Sequence, residues 1–329
     1  MAAAGRYTVR SVPLTPRPRP AAEASRTGLL AGVGAYGLWG LLPLYFPLMS
    51  GAGVWEIGAH RVVWSLVICL VLVALLRRGG QVRALLVDRR VLSGLALASV
   101  LLATNWVTFL YAVLTDRVVD ASLGYFINPL VTIMLGVLVL RERLRPGQWA
   151  AVSLAGAGVV VIAIGYGTVP WIAVVLACSF GLYGLAKNRL GRTVAPLPGF
   201  LVETMVLTPV ALGYLIVLAA LGTGTFAVAA GGTALATPWH SLALIGSGVI
   251  TALPLLLFAT AVGRLPLSMI GLLQFIAPTM QFLLGVLVLG EEMPPARWAG
   301  FVLVWTALML LGVEGQAARS RRRRSLPRP

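Results

Sequence analysis

The sequence predicts an all-α membrane protein whose ten transmembrane helices form two inverted five-helix repeats. Three observations support this fold class. First, 59% of the 329 residues are hydrophobic and only 11% are charged, whereas a soluble domain has roughly 25% charged residues. Second, the chain divides into ten apolar stretches near the length of about 20 residues that spans a bilayer. Third, one of these stretches recurs later in the chain.

The recurring stretch runs from Phe126 to Ala150 and returns, 149 residues later, from Phe275 to Ala299. Of the 25 aligned pairs, 13 are identical. They include Pro129 with Pro278. Self-similarity at a fixed spacing indicates an internal duplication. We therefore divide the membrane part into repeats at 28–165 and 166–314, between a tail at 1–27 that we expect to be disordered and a basic tail at 315–329.

The apolar stretches follow one another with short connections, so successive helices are predicted to be antiparallel neighbours. They cover residues 28–48, 54–76, 91–114, 118–140, 148–165, 170–187, 197–220, 240–262, 267–289 and 295–313. Five helices per repeat is an odd number, so the second repeat must enter the membrane upside down relative to the first. Inverted repeats are typical of secondary transporters, in which the substrate site lies near the membrane midplane.

The basic residues are distributed unevenly between the two predicted sides of the membrane. With the N-terminus in the cytoplasm, 23 of the 26 Lys and Arg residues fall on that side, two fall on the other, and Arg61 lies inside a helix. Cationic loops stay in the cytoplasm, so both termini are predicted to be cytoplasmic, in a multi-pass protein of the cell inner membrane. The lipid bilayer accounts for the net charge of +16, and we expect no nucleic-acid partner.

Two prolines mark the helices of the repeated stretch. Pro129 and Pro278 lack an N–H group, which deprives the carbonyls of Tyr125 and Gln274 of their usual donors. In lipid these carbonyls need another partner or must face a cavity. We predict helix breaks beside a cavity here, and a simple packing kink is the alternative.

Polar side chains share one face around these prolines. Tyr125 and Asn128 lie at helical spacing, as do Gln274 and Gln281, so each pair shares one side of its helix. Opposed across the repeats, they would line a substrate pocket, to which Asn105 is also assigned. Interhelical hydrogen bonding is the alternative.

Ionisable residues inside a bilayer are costly and usually functional. Glu203 is a candidate proton or cation carrier, with a salt bridge as the alternative. Arg61 is assigned either to an anionic group of the substrate or, as the alternative, to an interfacial anchor or a structural pair. His60 is a candidate proton-sensitive group or a packing residue, and Lys187 is expected to extend to the membrane interface.

Two carboxylates close the repeated helices. Glu142 and Glu291 occupy matched positions, so we expect a structural task such as holding the turn into the next helix.

The sequence lacks the motifs of several classes of activity. The sequence has no HExxH, no CxxC and no P-loop, so neither a cofactor, a metal nor ATP hydrolysis by the chain itself is expected. The preferred function is a transporter of a small molecule. A membrane enzyme acting on lipid or prenyl groups and a non-transporting scaffold are the alternatives. The sequence is compatible with a homodimer.

The repeated region also resembles a known family. SLGYFINPL from Ser122 to Leu130, followed by GVLVLRERL from Gly136 to Leu144, resembles the RarD family of EamA-type permeases in the drug/metabolite transporter superfamily. The resemblance implies ten helices as two EamA repeats, and export or exchange of small molecules across the bacterial inner membrane. The resemblance assigns no substrate-binding residues in this chain.

Overall fold

The computed structural model describes residues 21–114, 118–164, 171–191, 193–226 and 238–288, with four further positions near the C-terminus. These residues form α-helices and two short 3₁₀ turns, and no strand occurs in the described ranges. The helices are α1 Ala21–Gly40, α2 Val54–Leu75, α3 Gly79–Val87, α4 Arg89–Leu114, α5 Val118–Leu140, α6 Pro146–Ile164, α7 Trp171–Leu190, α8 Pro196–Leu221, α9 Pro238–Val262, α10 Leu267–Leu273 and α11 Ile276–Leu287.

Five of these helices contain segments long and apolar enough to cross a membrane. They are Val54–Leu75, Arg89–Phe109, Trp171–Leu190, Pro196–Leu221 and Pro238–Val262, with shorter apolar helices at Gly124–Leu140 and Leu267–Gln281. Large apolar side chains such as Leu75 and Val210 point away from the bundle, as expected where the surrounding solvent is hydrocarbon. The all-helical membrane class is therefore confirmed, while most of the predicted helix at 295–313 lies outside the described residues.

Polar contacts tie the helices together at both ends of the bundle. At the end where α7 and α9 finish, which we call the first end, Asn188 donates a hydrogen bond of 2.7 Å to the carbonyl of Val262. At the opposite, second end, Tyr45 follows α1 and donates a hydrogen bond of 2.7 Å to the carbonyl of Ala243 near the start of α9. These contacts place the end of α1 beside the start of α9, so α1 and α9 run in opposite directions.

Helix α5 and the short helix α10, which precedes the second copy of the repeated stretch, pack against each other at one close approach. Gly271 of α10 lies so near α5 that a Cβ atom there would be 2.8 Å from the carbonyl oxygen of Pro129. Only glycine fits this position without displacement. Helices α5 and α10 therefore meet backbone to backbone.

Glu142, just after α5, caps the start of α10. Its carboxylate oxygens accept hydrogen bonds from the backbone N–H groups of Leu267 at 2.7 Å and Ser268 at 2.9 Å. A Cβ atom at Gly136 would be 2.9 Å from this carboxylate, so Gly136 leaves the space that Glu142 needs. The expected structural task is confirmed, but the carboxylate holds a distant helix rather than the turn into the next one. Glu291 lies outside the described residues.

The helix breaks differ from those predicted at the prolines. The helix α5 continues through Pro129, so the predicted break there is wrong. In the second repeat the break falls at Gln274 and Phe275, between α10 and α11, with Pro278 inside α11. A proline ring clashes with the carbonyl four residues earlier, and for Pro278 that residue is Gln274. The short helix α3 is a further difference, since its few residues fall in a predicted connection.

We expect Glu142→Ala to lower the unfolding free energy by about 2 kcal/mol, because two backbone N–H groups at the start of α10 lose a charged acceptor. Thermal unfolding in detergent measures this change. Arg143→Ala, at an exposed neighbouring position, is the control. Equal melting temperatures for the two variants would contradict the cap.

Candidate functional site

Five aromatic rings meet in the middle of the bundle. This aromatic cluster consists of Tyr36 and Trp39 from α1, Phe180 and Tyr183 from α7, and Phe258 from α9. The Trp39 ring lies 5.3 Å from Tyr36, 5.5 Å from Phe180 and 5.7 Å from Phe258 between centroids, and the Tyr183 and Phe258 rings stack at 5.7 Å. Its α1 and α7 members come from two similar phrases, YGLWGL and FGLYGL. The cluster therefore joins corresponding segments of the two predicted repeats.

Tyr36 of this cluster and the neighbouring Gln274 have side-chain polar atoms with no hydrogen-bond partner among the described residues. Tyr36 is 2% exposed and Gln274 is 4% exposed. The Tyr36 hydroxyl and both amide atoms of Gln274 are buried without a partner among the described residues. The Gln274 amide lies close enough to the Tyr36 hydroxyl for the two groups to interact weakly with each other, although no contact between them has the distance and angle of a hydrogen bond. Buried polar groups are nearly always satisfied in proteins, so the Tyr36–Gln274 pair needs an explanation.

A buried ion pair links α7 and α8. Lys187 Nζ lies 2.6 Å from Glu203 Oε1, with the two side chains 6% and 0% exposed. The Tyr183 hydroxyl donates to Glu203 Oε2 at 3.2 Å, and Ser99 of α4 donates to the Glu203 carbonyl at 3.2 Å. The expectation that Lys187 extends to the membrane interface is wrong, because its ammonium group pairs with the Glu203 carboxylate inside the bundle.

Arg61 is buried among three other helices rather than placed at an interface. Its guanidinium carbon lies 4.7 Å from the centroid of the Trp106 ring on α4, and Nε donates a hydrogen bond of 2.9 Å to the Thr251 hydroxyl on α9. The guanidinium is also near enough to Tyr125 on α5 to interact with it electrostatically. The alternative of an outward anchor is therefore wrong for Arg61.

Several other predicted pocket residues bond to neighbouring groups. Asn105 Nδ2 donates to the Leu176 carbonyl at 3.0 Å, which ties α4 to α7. Gln281 Nε2 donates to the Trp39 carbonyl at 3.1 Å. Asn128 Oδ1 accepts a hydrogen bond of 3.3 Å from Thr132, one turn further along α5. In this conformation these amides form hydrogen bonds within and between helices, which is the predicted alternative to lining a pocket.

His60 belongs to a polar group at the second end. Its Nδ1 accepts a hydrogen bond of 3.3 Å from Trp64, and its buried Nε2 has no partner among the described residues. One turn earlier, the buried Glu56 accepts a hydrogen bond of 2.6 Å from the Thr225 N–H. This contact ties the start of α2 to the segment after α8.

The helix α9 passes each of these features in turn. Thr251 contacts Arg61, and Phe258 is a member of the aromatic cluster. Thr251 and Phe258 are seven residues apart, so they lie on one face, with about 10.5 Å of rise between them. The core therefore presents a buried cation, then the aromatic cluster with the Tyr36–Gln274 pair, and then the Lys187–Glu203 pair towards the first end.

No group of three His, Cys, Asp or Glu side chains within the described ranges is placed to hold a metal ion. The arrangement instead offers hydrogen-bonding groups, aromatic faces and a buried cation, which are means of binding an organic molecule. Sequence reasoning missed Tyr36 as a site residue, although the repeated phrase that contains it was a signal.

Comparisons with known proteins agree with one another. Residues 26–164 match the EamA-like transporter family. The chain is 51% identical over 291 residues to the protein RarD of Streptomyces exfoliatus, covering 88% of this chain and 90% of that one. It is 42% identical to an uncharacterized transporter of Bacillus subtilis, covering 87% of this chain and 93% of that one. A protein of known crystal structure shares the fold with a TM-score of 0.63 at 16% identity, covering 87% of this chain and 97% of that one.

We expect Lys187→Met to lower the unfolding free energy by about 3–5 kcal/mol, because it leaves the Glu203 carboxylate buried without its cation. The double variant Lys187→Met with Glu203→Leu should regain most of this loss, since it leaves no charge behind. Chemical unfolding in detergent tests both, with Arg189→Met, exposed on the same helix, as the control. A double variant as unstable as the sum of its single variants would contradict a coupled pair.

Proposed function

Because the chain belongs to the EamA-like transporter family and to its RarD group, we propose that it is a secondary transporter that moves a small organic molecule across the bacterial inner membrane. Export or exchange by alternating access is the proposed mode. The relatives named as transporters favour this function over the membrane-enzyme and scaffold alternatives.

The proposed architecture is ten transmembrane helices in two inverted repeats, 28–165 and 166–314, with both termini in the cytoplasm. The 149-residue repeat, the close packing of α5 on α10 and the uneven distribution of basic residues support it. The aromatic cluster then lies where the two repeats meet, which is the usual position of the substrate site in transporters built this way.

The observation that carries the proposal is the Tyr36–Gln274 pair. A hydroxyl and an amide without partners in the interior destabilise the folded protein. A transported molecule that bonds to both groups while stacking on the aromatic cluster would satisfy them. We therefore place the substrate beside Tyr36, Trp39 and Gln274, with Arg61, Asn105, Tyr125, Asn128 and Gln281 around it.

For the coupling step, we assign the Lys187–Glu203 pair. A small cleft at the first end is lined by Leu190, Gly191, Val194 and Lys187 itself, and we propose that protons reach the pair from this end. Protonation of Glu203 would release Lys187 and loosen α7 from α8. His60 is a second candidate for proton sensing, at the opposite end.

Transport and stability together test the assignment of the site. The probe is the compound whose level differs most between cells that lack and cells that overproduce the protein, measured as flux into proteoliposomes. We expect Tyr36→Phe and Gln274→Leu each to lower flux at least 10-fold while leaving the melting temperature unchanged or raised, because each removes buried polar atoms that have no partner.

Tyr214→Phe, on the exposed part of α8, is the matched control and should change neither quantity. Variants at Tyr36 and Gln274 that melt at lower temperature, or that transport normally, would show that the pair has a structural role instead.

A further inference from the structure

The surroundings of Arg61 bear on the chemistry of the substrate. Arg61 is 6% exposed and keeps its charge at any physiological pH. Its observed contacts are a hydroxyl, that of Thr251, and aromatic rings, above all the face of Trp106. All of these groups are neutral, so the guanidinium is held in place without being neutralised.

A counter-charge for Arg61 is absent from the part of the chain that the structure describes. There, the ion pair that forms inside the bundle is Lys187 with Glu203, and no carboxylate oxygen lies within 4.0 Å of the Arg61 guanidinium. Removing one partner from a buried pair costs several kcal/mol, and ionisable groups inside a membrane usually mark the path of a substrate or ion. The missing negative charge is therefore one that a ligand can supply.

The geometry of the guanidinium suits such a ligand. Nε is used by Thr251, while neither Nη1 nor Nη2 has a bond to a described residue. This edge matches two oxygens of a carboxylate or phosphoryl group. Arg61 also contacts α9 two turns from Phe258 of the aromatic cluster, so a ligand bound at both would extend over about 10 Å.

We propose that the transported molecule is an organic anion, whose carboxylate or phosphoryl group binds Arg61 while its apolar body points to the aromatic cluster and the Tyr36–Gln274 pair. This inference rests on the proposed function, and it narrows the substrate to one class of charge.

Matched probes test the charge of the ligand on the purified, full-length protein. The set pairs benzoate with benzamide, phenylacetate with phenylacetamide and phenyl phosphate with phenol, and adds benzylammonium as a cation. At saturation we expect at least one anion to raise the melting temperature by about 2–4 °C, with no shift from its uncharged counterpart or from the cation. Carboxylate and phosphate arms distinguish the two kinds of anionic group.

Variants then locate the effect. Arg61→Gln should abolish the shift. Arg61→Lys should weaken binding at least 10-fold, because it keeps the charge but loses the planar pair of N–H donors that binds two oxygens of the anion. Arg83→Gln, exposed on α3, should leave the shift unchanged. An anion shift that persists in Arg61→Gln, or the absence of any anion shift in the wild type, overturns the proposal. The Arg61→Lys variant keeps the test valid if Arg61→Gln does not fold.

Flux separates this inference from the proposed function. If the protein in proteoliposomes transports a neutral or cationic member of the set but none of the anions, the proposed transport is upheld and the anionic substrate is refuted. Anion flux that is lost in Arg61→Gln and kept in Arg83→Gln would support both.

Discussion

The scarcity of hydrogen-bond partners in the interior of a membrane protein is the constraint on which this structure depends. Hydrocarbon offers no donor or acceptor, so each polar group inside the bundle must find one within the protein. Asn105, Asn188 and Glu142 do so by joining helices that are distant in sequence. Glu203 does so by pairing with Lys187 on the preceding helix. Against this background, the Tyr36–Gln274 pair, which has no partner among the described residues, stands out, and we propose that a ligand supplies its missing partners.

The sequence predicted the helices well because apolar length is a local property. The predicted span 118–140 coincides with α5, and most other boundaries agree within a few residues. The first helix differs from the predicted span 28–48, because α1 runs from Ala21 to Gly40 and begins within the tail that is expected to be disordered. The break between α10 and α11 was placed at the proline rather than at the carbonyl that the proline displaces. The helix α3 was missed because nine residues between two longer helices carry little periodic signal.

The site was predicted less well, because which polar groups meet is decided by packing between distant helices. Glu203 was identified as an ionisable group in an apolar helix, but nothing local indicates that Lys187, on another helix, reaches it. The shared helix face predicts Gln274 and Gln281 together, yet only Gln274 lacks a partner among the described residues. The repeated phrase around Tyr36 points to this residue, but the sequence alone does not show that its hydroxyl lacks a partner among the described residues.

The central claim, that the core beside Tyr36 and Gln274 opens to the aqueous phase during function, is tested most directly by thiol labelling. In a chain whose Cys69 and Cys178 are replaced by Ala, Gln274→Cys should react with a water-soluble thiol reagent in membranes, because the proposed alternating access exposes this position in at least one conformation. Ala98→Cys, at a fully buried position packed in the core, should stay unreactive. A Cys at position 274 that is as inert as one at position 98 would contradict the account.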